Sequence, residues 1–336
     1  MNSETFNKDR YDQLPWIEKY RPRYINELML TDCLKHKMGQ FVNEKNIPNL
    51  IFTGPSGIGK TSTIRCLARA LFGPYAPRMV LELNASDDRG IKSMQECIIS
   101  FCKARSPIKQ EDKEKYASFK LIILDEADNM VERSQPQINS IMEQFKNVVR
   151  FSFTCNSSSN IIEAIQSRCL ILRYSRLSND LMMIKINEIS KIEKIKSDNN
   201  AFAQICLLSR GDMRTALNML QLIHYNKEKI TIEHVNELCD FPQQVVIRKM
   251  FDFVLQKNLH AGFSVLYELK NNGYSGSDIT LGMIYTIKSE ICDDIPEITK
   301  IKFFNAVCMA AYRISKGIDS MLQLSSCLVD MIISIK

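Results

Sequence analysis

Residues 49–73 read NLIFTGPSGIGKTSTIRCLARALFG, and this stretch decides the fold. It opens with the apolar run NLIF, passes through the glycine-rich loop GPSGIGKTS (Gly54 to Ser62), and enters a helix-forming segment that stops at Gly73-Pro74. Strand, glycine-rich loop and helix in that order is the context a phosphate-cradling loop requires. The glycines let backbone N–H groups turn inward around a polyphosphate, and the helix N-terminus adds positive potential. Lys60 is then placed for the β- and γ-phosphates, and the Thr61 hydroxyl for a magnesium ion. Gly54, Pro55, Ser56, Gly57, Ile58, Gly59, Lys60, Thr61 and Ser62 form the candidate cradle.

The flanking sequence supplies a sheet for this loop. NLIFTG, MVLELNA, KLIILDEA, VRFSFTC and CLILRY are short apolar bursts, as expected for strands covered on both faces. Helix-like segments separate them, so residues 1–173 predict a doubly wound α/β domain with a parallel five-stranded sheet. From residue 178 strand signals nearly vanish, and apolar residues recur at three and four positions, as in NDLMMIKINEISKIEKI. A second break near ELCDFPQQ, at Pro242, divides this half into a helical lid, 174–240, and a further all-helical domain, 241–336. NNGYSGSD reads as a turn in the latter, and KARSPIKQEDKEKYASFK before the third strand as a solvated loop.

The 336 residues suffice for two or three such domains. No apolar run is as long as a membrane span, and the first twenty residues are polar, so neither a membrane partner nor secretion is expected. The 11 cysteines are scattered among apolar neighbours without a CxxC pair, which reads as buried thiols in a reducing compartment. A net charge of +6 permits an anionic partner without requiring one.

KLIILDEAD completes the nucleotide chemistry. A strand ending in adjacent carboxylates puts Asp125 and Glu126 at the C-terminal edge of the sheet, where such folds bind ligands. Asp125 suits a magnesium coordination sphere, directly or through water, and Glu126 suits a general base for the attacking water. No NKxD-like guanine-reading tetrapeptide occurs, which favours ATP. Asn156 ends the strand FSFTCN; it is either a turn residue or a carboxamide that orients a water beside the γ-phosphate. Arg214, in GDMRTAL, either forms a surface ion pair or reaches back to the phosphates.

LPWIEKYRP, GPSGIGKTS, LELNASDDRGI, LIILDEADNM, SRC and GDMRTALN occur in that order. With them the chain resembles the small subunits of replication factor C, the AAA+ clamp loader of eukaryotes, over nearly its whole length. NNGYSGSDI and GIDSMLQLSSCL are most similar to the second small-subunit type. The resemblance implies a nuclear ATPase subunit of a heteropentamer with other replication factor C subunits. That complex opens the sliding clamp PCNA and loads it on primer–template DNA in replication and repair, and residues 241–336 would form its oligomerisation collar. It implies that Arg168, in AIQSRCLIL at 164–172, acts in trans as an arginine finger on a neighbour's nucleotide; an intrachain ion pair is the alternative. It further implies that Ile17 and Met29 wall the adenine and that Arg21 helps hold the nucleotide; an apolar residue beside KYRP that docks the N-terminal arm is the alternative. Arg89 would touch DNA phosphates, with Lys92 sharing its helix face, although Arg89 also suits a helix-terminus ion pair.

Two other functions share these motifs: an ATP-binding subunit of the same complex that does not hydrolyse, and a AAA+ DNA-remodelling motor. The chain also departs from the family in one place. Relatives carry AQ-ALRRTME after the acidic strand, whereas this chain reads SQPQINSIME, with Gln135 and Glu143 kept and Asn139 and Ser140 replacing two arginines. That substitution predicts weaker coupling between DNA and the nucleotide site through this subunit, or compensation elsewhere in the ring.

Overall fold

A computed structural model describes residues 14–85, 91–112, 114–226, 229–238 and 244–335. The five apolar bursts become strands β1 (Asn49–Thr53), β2 (Val80–Asn84), β3 (Lys120–Asp125), β4 (Val149–Cys155) and β5 (Cys169–Arg173). They form one sheet in the order β2-β3-β4-β1-β5, with every neighbouring pair parallel.

The unbroken apolar runs follow from burial on two faces. Leu50 and Phe52 of β1 and Leu121 and Ile123 of β3 enter one core. The alternate residues Ile51, Ile122 and Leu124 enter a second core on the opposite face. A strand's side chains alternate across the sheet, so one run feeds both layers, and each such residue contributes about 1.5–3 kcal/mol of burial. On the first face lies the helix Lys60–Phe72, which buries Ile64, Leu67, Leu71 and Phe72. Gly73, at φ +50°, ends it as the Gly-Pro signal predicts. On the second face the helix Gln135–Gln144 buries Ile138, Ile141 and Met142; Pro136 sits in its first turn, where a missing N–H costs little.

Because all five strands run the same way, their C-terminal ends share one edge. The loop after β1, the acidic pair ending β3 and Asn156 after β4 therefore converge without further design. The opposite edge carries the strand starts. Cys169 pairs with Asn49, the first residue of β1, so Arg168 lies at that far edge.

The loop before β3 is more anchored than a solvated loop. Ile108 and Ala117 are buried, and the Tyr75 hydroxyl donates to Asp112 at 2.7 Å. Lys120, which begins β3, is also buried. Its Nζ donates to the carbonyls of Phe101 (2.6 Å) and Ala104 at the C-terminus of the helix Ile91–Lys103. Burial lowers the Lys120 pKa, while those carbonyls satisfy its donors.

The chain divides into two compact units, 1–231 and 232–336. The first includes the helices Asn179–Ile192, Asn199–Ser209 and Met213–Asn226, together with a two-residue parallel pair, β6 (Lys196–Ser197) and β7 (Lys229–Ile230). The second is helical among its described residues: Ile232–Leu238, Gln244–Leu255, Leu259–Asn271, Gly276–Lys288, Glu297–Ser315 and Met321–Ser334. Ile247, Phe251, Leu266, Met283, Phe303 and Leu328 give it a core of its own. The NNGYSGSD turn ends in a capping box between Ser275 and Asp278. Pro242, at the expected 240/241 break, lies outside the described residues. No described helix is long and apolar enough to cross a membrane.

Candidate nucleotide site

Loop geometry comes first. Gly57 (φ +67°) and Gly59 (φ +92°) adopt the left-handed backbone that lets consecutive N–H groups face one point. Gly59 caps the helix that opens at Lys60. Lys60 Nζ donates to the carbonyls of Gly54 (2.5 Å) and Pro55 (2.6 Å) and to Asn156 Oδ1 (3.1 Å). Burial pushes its ammonium below the ordinary lysine value, and the carboxylates of Asp128 and Asp125 oppose that push.

The acidic strand end is held as tightly. Thr61 Oγ1 lies 3.1 Å from both oxygens of Asp125, and Thr154 Oγ1 donates to Asp125 Oδ1. The same Thr154 oxygen accepts from the Glu126 N–H at 3.1 Å. Glu126 sits at φ +53°, a conformation costly for a residue with a Cβ and retained here at the candidate base. Asp128 accepts from the Asn156 N–H at 3.0 Å through one oxygen; its other oxygen is buried without a partner among the described residues. Asn156 is thus fixed at its backbone by Asp128 and at its side chain by Lys60. Asn156 is exposed at the bend that follows β4 and lines the cleft from there.

Ile17, Arg21 and Met29 line the same cleft as Ser56 to Ser62, Asp125, Glu126, Asn156 and Arg214. What holds the N-terminal arm there is a set of contacts with the helical region. Trp16 is buried, its N–H donates to Gln221 Oε1 at 3.0 Å, and its ring lies 5.3 Å from that of His224. Lys19 Nζ donates to Glu193 at 2.8 Å, and the Tyr20 hydroxyl donates to the same oxygen. Arg21 pairs with Glu18 at 2.7 Å.

Arg214 follows Asp212, whose Oδ1 accepts the N–H groups of Arg214 (2.8 Å) and Thr215 (3.1 Å). Asp212 thereby caps the helix Met213–Asn226. Arg214 lines the same cleft as the phosphate loop.

Arg168 stands apart. Its guanidinium pairs with Glu143 and donates to the Ala164 carbonyl at 2.6 Å, on the surface and outside the cleft. The segment 164–172 carries no anion, but the helix Gln135–Gln144 supplies one, so an intrachain pair exists. Arg89 lies outside the described residues, as does the side chain of Lys92. Asn139 is half-buried, its Oδ1 without a partner among the described residues, and Ser140 is exposed.

Comparison with known proteins gives the same site a lineage. The profile of the "ATPase family associated with various cellular activities (AAA)" matches residues 50–177, and that of the "Replication factor C C-terminal domain" matches 242–330. The chain is 36% identical over 324 residues to probable replication factor C subunit 2 of Dictyostelium discoideum, covering 96% of this chain and 94% of that one. The chain belongs to the replication factor C family. Replication factor C subunit 4 of Saccharomyces cerevisiae is 34% identical, covering 94% and 95% of the two chains. For human replication factor C subunit 5 the identity is 36%, with 93% and 90% covered. Among solved structures, the Thermotoga maritima RuvB Holliday junction branch migration motor aligns with a TM-score of 0.53 at 15% identity, over 74% of this chain and 85% of that one. That likeness shows the AAA+ fold alone.

Sequence reading missed several residues of this replication factor C cleft. Arg65, Lys185 and Ile189 line it, and Asp212 braces its floor. Arg65 is legible in hindsight, one helical turn beyond Thr61 on the same face. The others come from the helical region, and only the tertiary fold brings them near.

Proposed function

We propose that this chain is an ATP-hydrolysing subunit of a heteropentameric clamp loader, which opens the sliding clamp PCNA and loads it on primer–template DNA. One observation carries the reading. Cradle, acidic pair and Asn156 share the C-terminal edge of the sheet, while Arg168 sits at the opposite edge. β1 spans five residues between those edges, about 16 Å at 3.3 Å per residue. An arginine side chain cannot cross that distance, so Arg168 is of no use to its own phosphates. A neighbouring subunit's nucleotide is the partner that fits.

In this reading Lys60 and the loop N–H groups hold the β- and γ-phosphates. Glu126 polarises the attacking water, and Asn156 orients it. The donor set fits magnesium: Thr61 and Asp125 offer hard oxygen ligands, and among the described residues a buried Asp128 oxygen has no partner. Thr61 and Asp125 would hold the ion, which supplies charge neutralisation at the phosphates when bound. The Arg168–Glu143 pair is about half exposed and contributes about 0–1 kcal/mol. A finger accelerates phosphoryl transfer by about 10³–10⁵. A surface pair of that strength is readily exchanged for a neighbour's phosphate.

Single-turnover hydrolysis in the reconstituted ring tests this. The isolated chain should be slow and the ring fast, and Glu126→Gln should silence this chain's own site. An isolated chain that hydrolyses at the ring's rate would overturn the proposal.

A further inference from the structure

We infer that Asp212 is a positioning residue that couples Arg214 to the phosphate loop through Ser56 and Gly57; the inference rests on the ATPase reading above. The Asp212 carboxylate is divided between two elements. Its Oδ1 caps the helix Met213–Asn226 through the Arg214 and Thr215 N–H groups, while its Oδ2 accepts from the Ser56 hydroxyl at 3.2 Å. Beside it the Met213 N–H donates to the Gly57 carbonyl at 3.2 Å. The loop and the first turn of the helix are therefore stitched by two adjacent bonds, one accepted by the Asp212 side chain and one by the Gly57 carbonyl.

Gly57 shows how closely the seat is built. A Cβ at Gly57 would lie 1.7 Å from Asp212 Oδ1, so the carboxylate occupies the space a side chain would take. The φ of +67° already favours glycine, and the seat removes the alternatives. Arg214 is two residues from Asp212, on the turn that Asp212 caps. Movement of the loop around an entering polyphosphate is passed to Arg214 as a rigid displacement of that turn. Without the seat, the loop and the guanidinium would move independently and Arg214 would meet the phosphates less often in register.

The test uses the full chain, with binding of a fluorescent ATP analogue measured alone and single-turnover hydrolysis measured in the reconstituted ring. Asp212→Ala is expected to slow hydrolysis about tenfold to a hundredfold, through misplacement of a reacting group. Asp212→Asn retains an acceptor for the helix N–H groups and a hydrogen-bonding group for Ser56, so it should restore most of the rate. The decisive readout is coupling: Asp212→Ala added to Arg214→Ala should cost little more than Arg214→Ala alone, since two residues acting as a unit are not additive. A merely structural cap would give additive losses. Additive losses, or an Asp212→Asn protein as slow as Asp212→Ala, overturn the inference. If Lys60→Ala and Glu126→Gln were also without effect, the failure would lie with the ATPase reading. If those two are crippling while Asp212 and Arg214 add independently, the failure belongs to the coupling alone.

Discussion

The two edges of the β2-β3-β4-β1-β5 sheet differ in how their charged groups are held. At the C-terminal edge Lys60 donates to Asn156 and the Asn156 N–H to Asp128, while Thr61 and Thr154 both donate to Asp125. At the N-terminal edge Arg168 has, among the described residues, one exposed carboxylate and one carbonyl as partners. The first arrangement is built to hold a ligand in place. The second leaves a cation on the surface with a weakly bound counter-charge, available to another molecule.

The largest expected effects test whether the edges are independent. Lys60→Ala should weaken binding of a fluorescent ATP analogue by the isolated chain more than about 100-fold, since it removes the ammonium proposed to hold the β- and γ-phosphates. Arg168→Ala should leave that binding within about twofold, and lower hydrolysis at the neighbouring site of the ring by about 10³. An Arg168→Ala chain that loses its own nucleotide would break the comparison. Glu126→Gln sharpens it within the first edge, with binding kept and single-turnover hydrolysis lowered by about 10²–10⁴.

A smaller effect concerns the helix that joins the two edges. Gln135–Gln144 follows the acidic strand end and carries Glu143, the counter-charge of Arg168. Restoring arginine at Asn139 and Ser140 together should raise DNA-stimulated hydrolysis in the ring by a few-fold, roughly 1 kcal/mol of coupling. Ser140 is exposed and should tolerate the change, whereas Asn139 is half-buried and makes the double variant less stable. Unchanged DNA stimulation would show that the lost charges are not what sets the coupling.

What was legible in the sequence follows the same division. The cradle and the acidic pair are local motifs, and a parallel sheet brings them to one edge automatically. The five strands were readable because burial on both faces leaves apolar runs. Arg168 was legible only through family resemblance; its distance from its own phosphates needed the β1–β5 register. The pairings of Glu143, Asp212 and the buried Lys120 were missed for one reason. Each acts on a partner from another element, Asp212 on Ser56 across 156 positions, and no local pattern marks such pairs. The loop before β3 is exposed over most of its length, as read, but its polar composition hides the buried Ile108 and Ala117.

The smallest effect probes how the N-terminal arm is kept over the cleft. Burial alone would raise the Glu193 pKa, but the hydrogen bonds from Lys19 and Tyr20 prevail and hold it below the ordinary value. A carboxylate with a depressed folded-state pKa contributes stability above its unfolded pKa, about 4.3 for glutamate, and loses it as pH falls through the folded value. The clasp between arm and helical region should therefore be at full strength at neutral pH and weaken only below about 4.3. Trp16 is the single tryptophan and is buried on that arm, so its emission reports the clasp. Acidification should shift its emission to the red in that acid range. Glu193→Gln should show the shift already at neutral pH and no further step in the acid range. Carrying His224→Asn in both proteins removes the imidazole 5.3 Å from Trp16 as a separate quencher. An acid step that persists unchanged in Glu193→Gln would assign the arm's hold to the burial of Trp16 rather than to the ion pair.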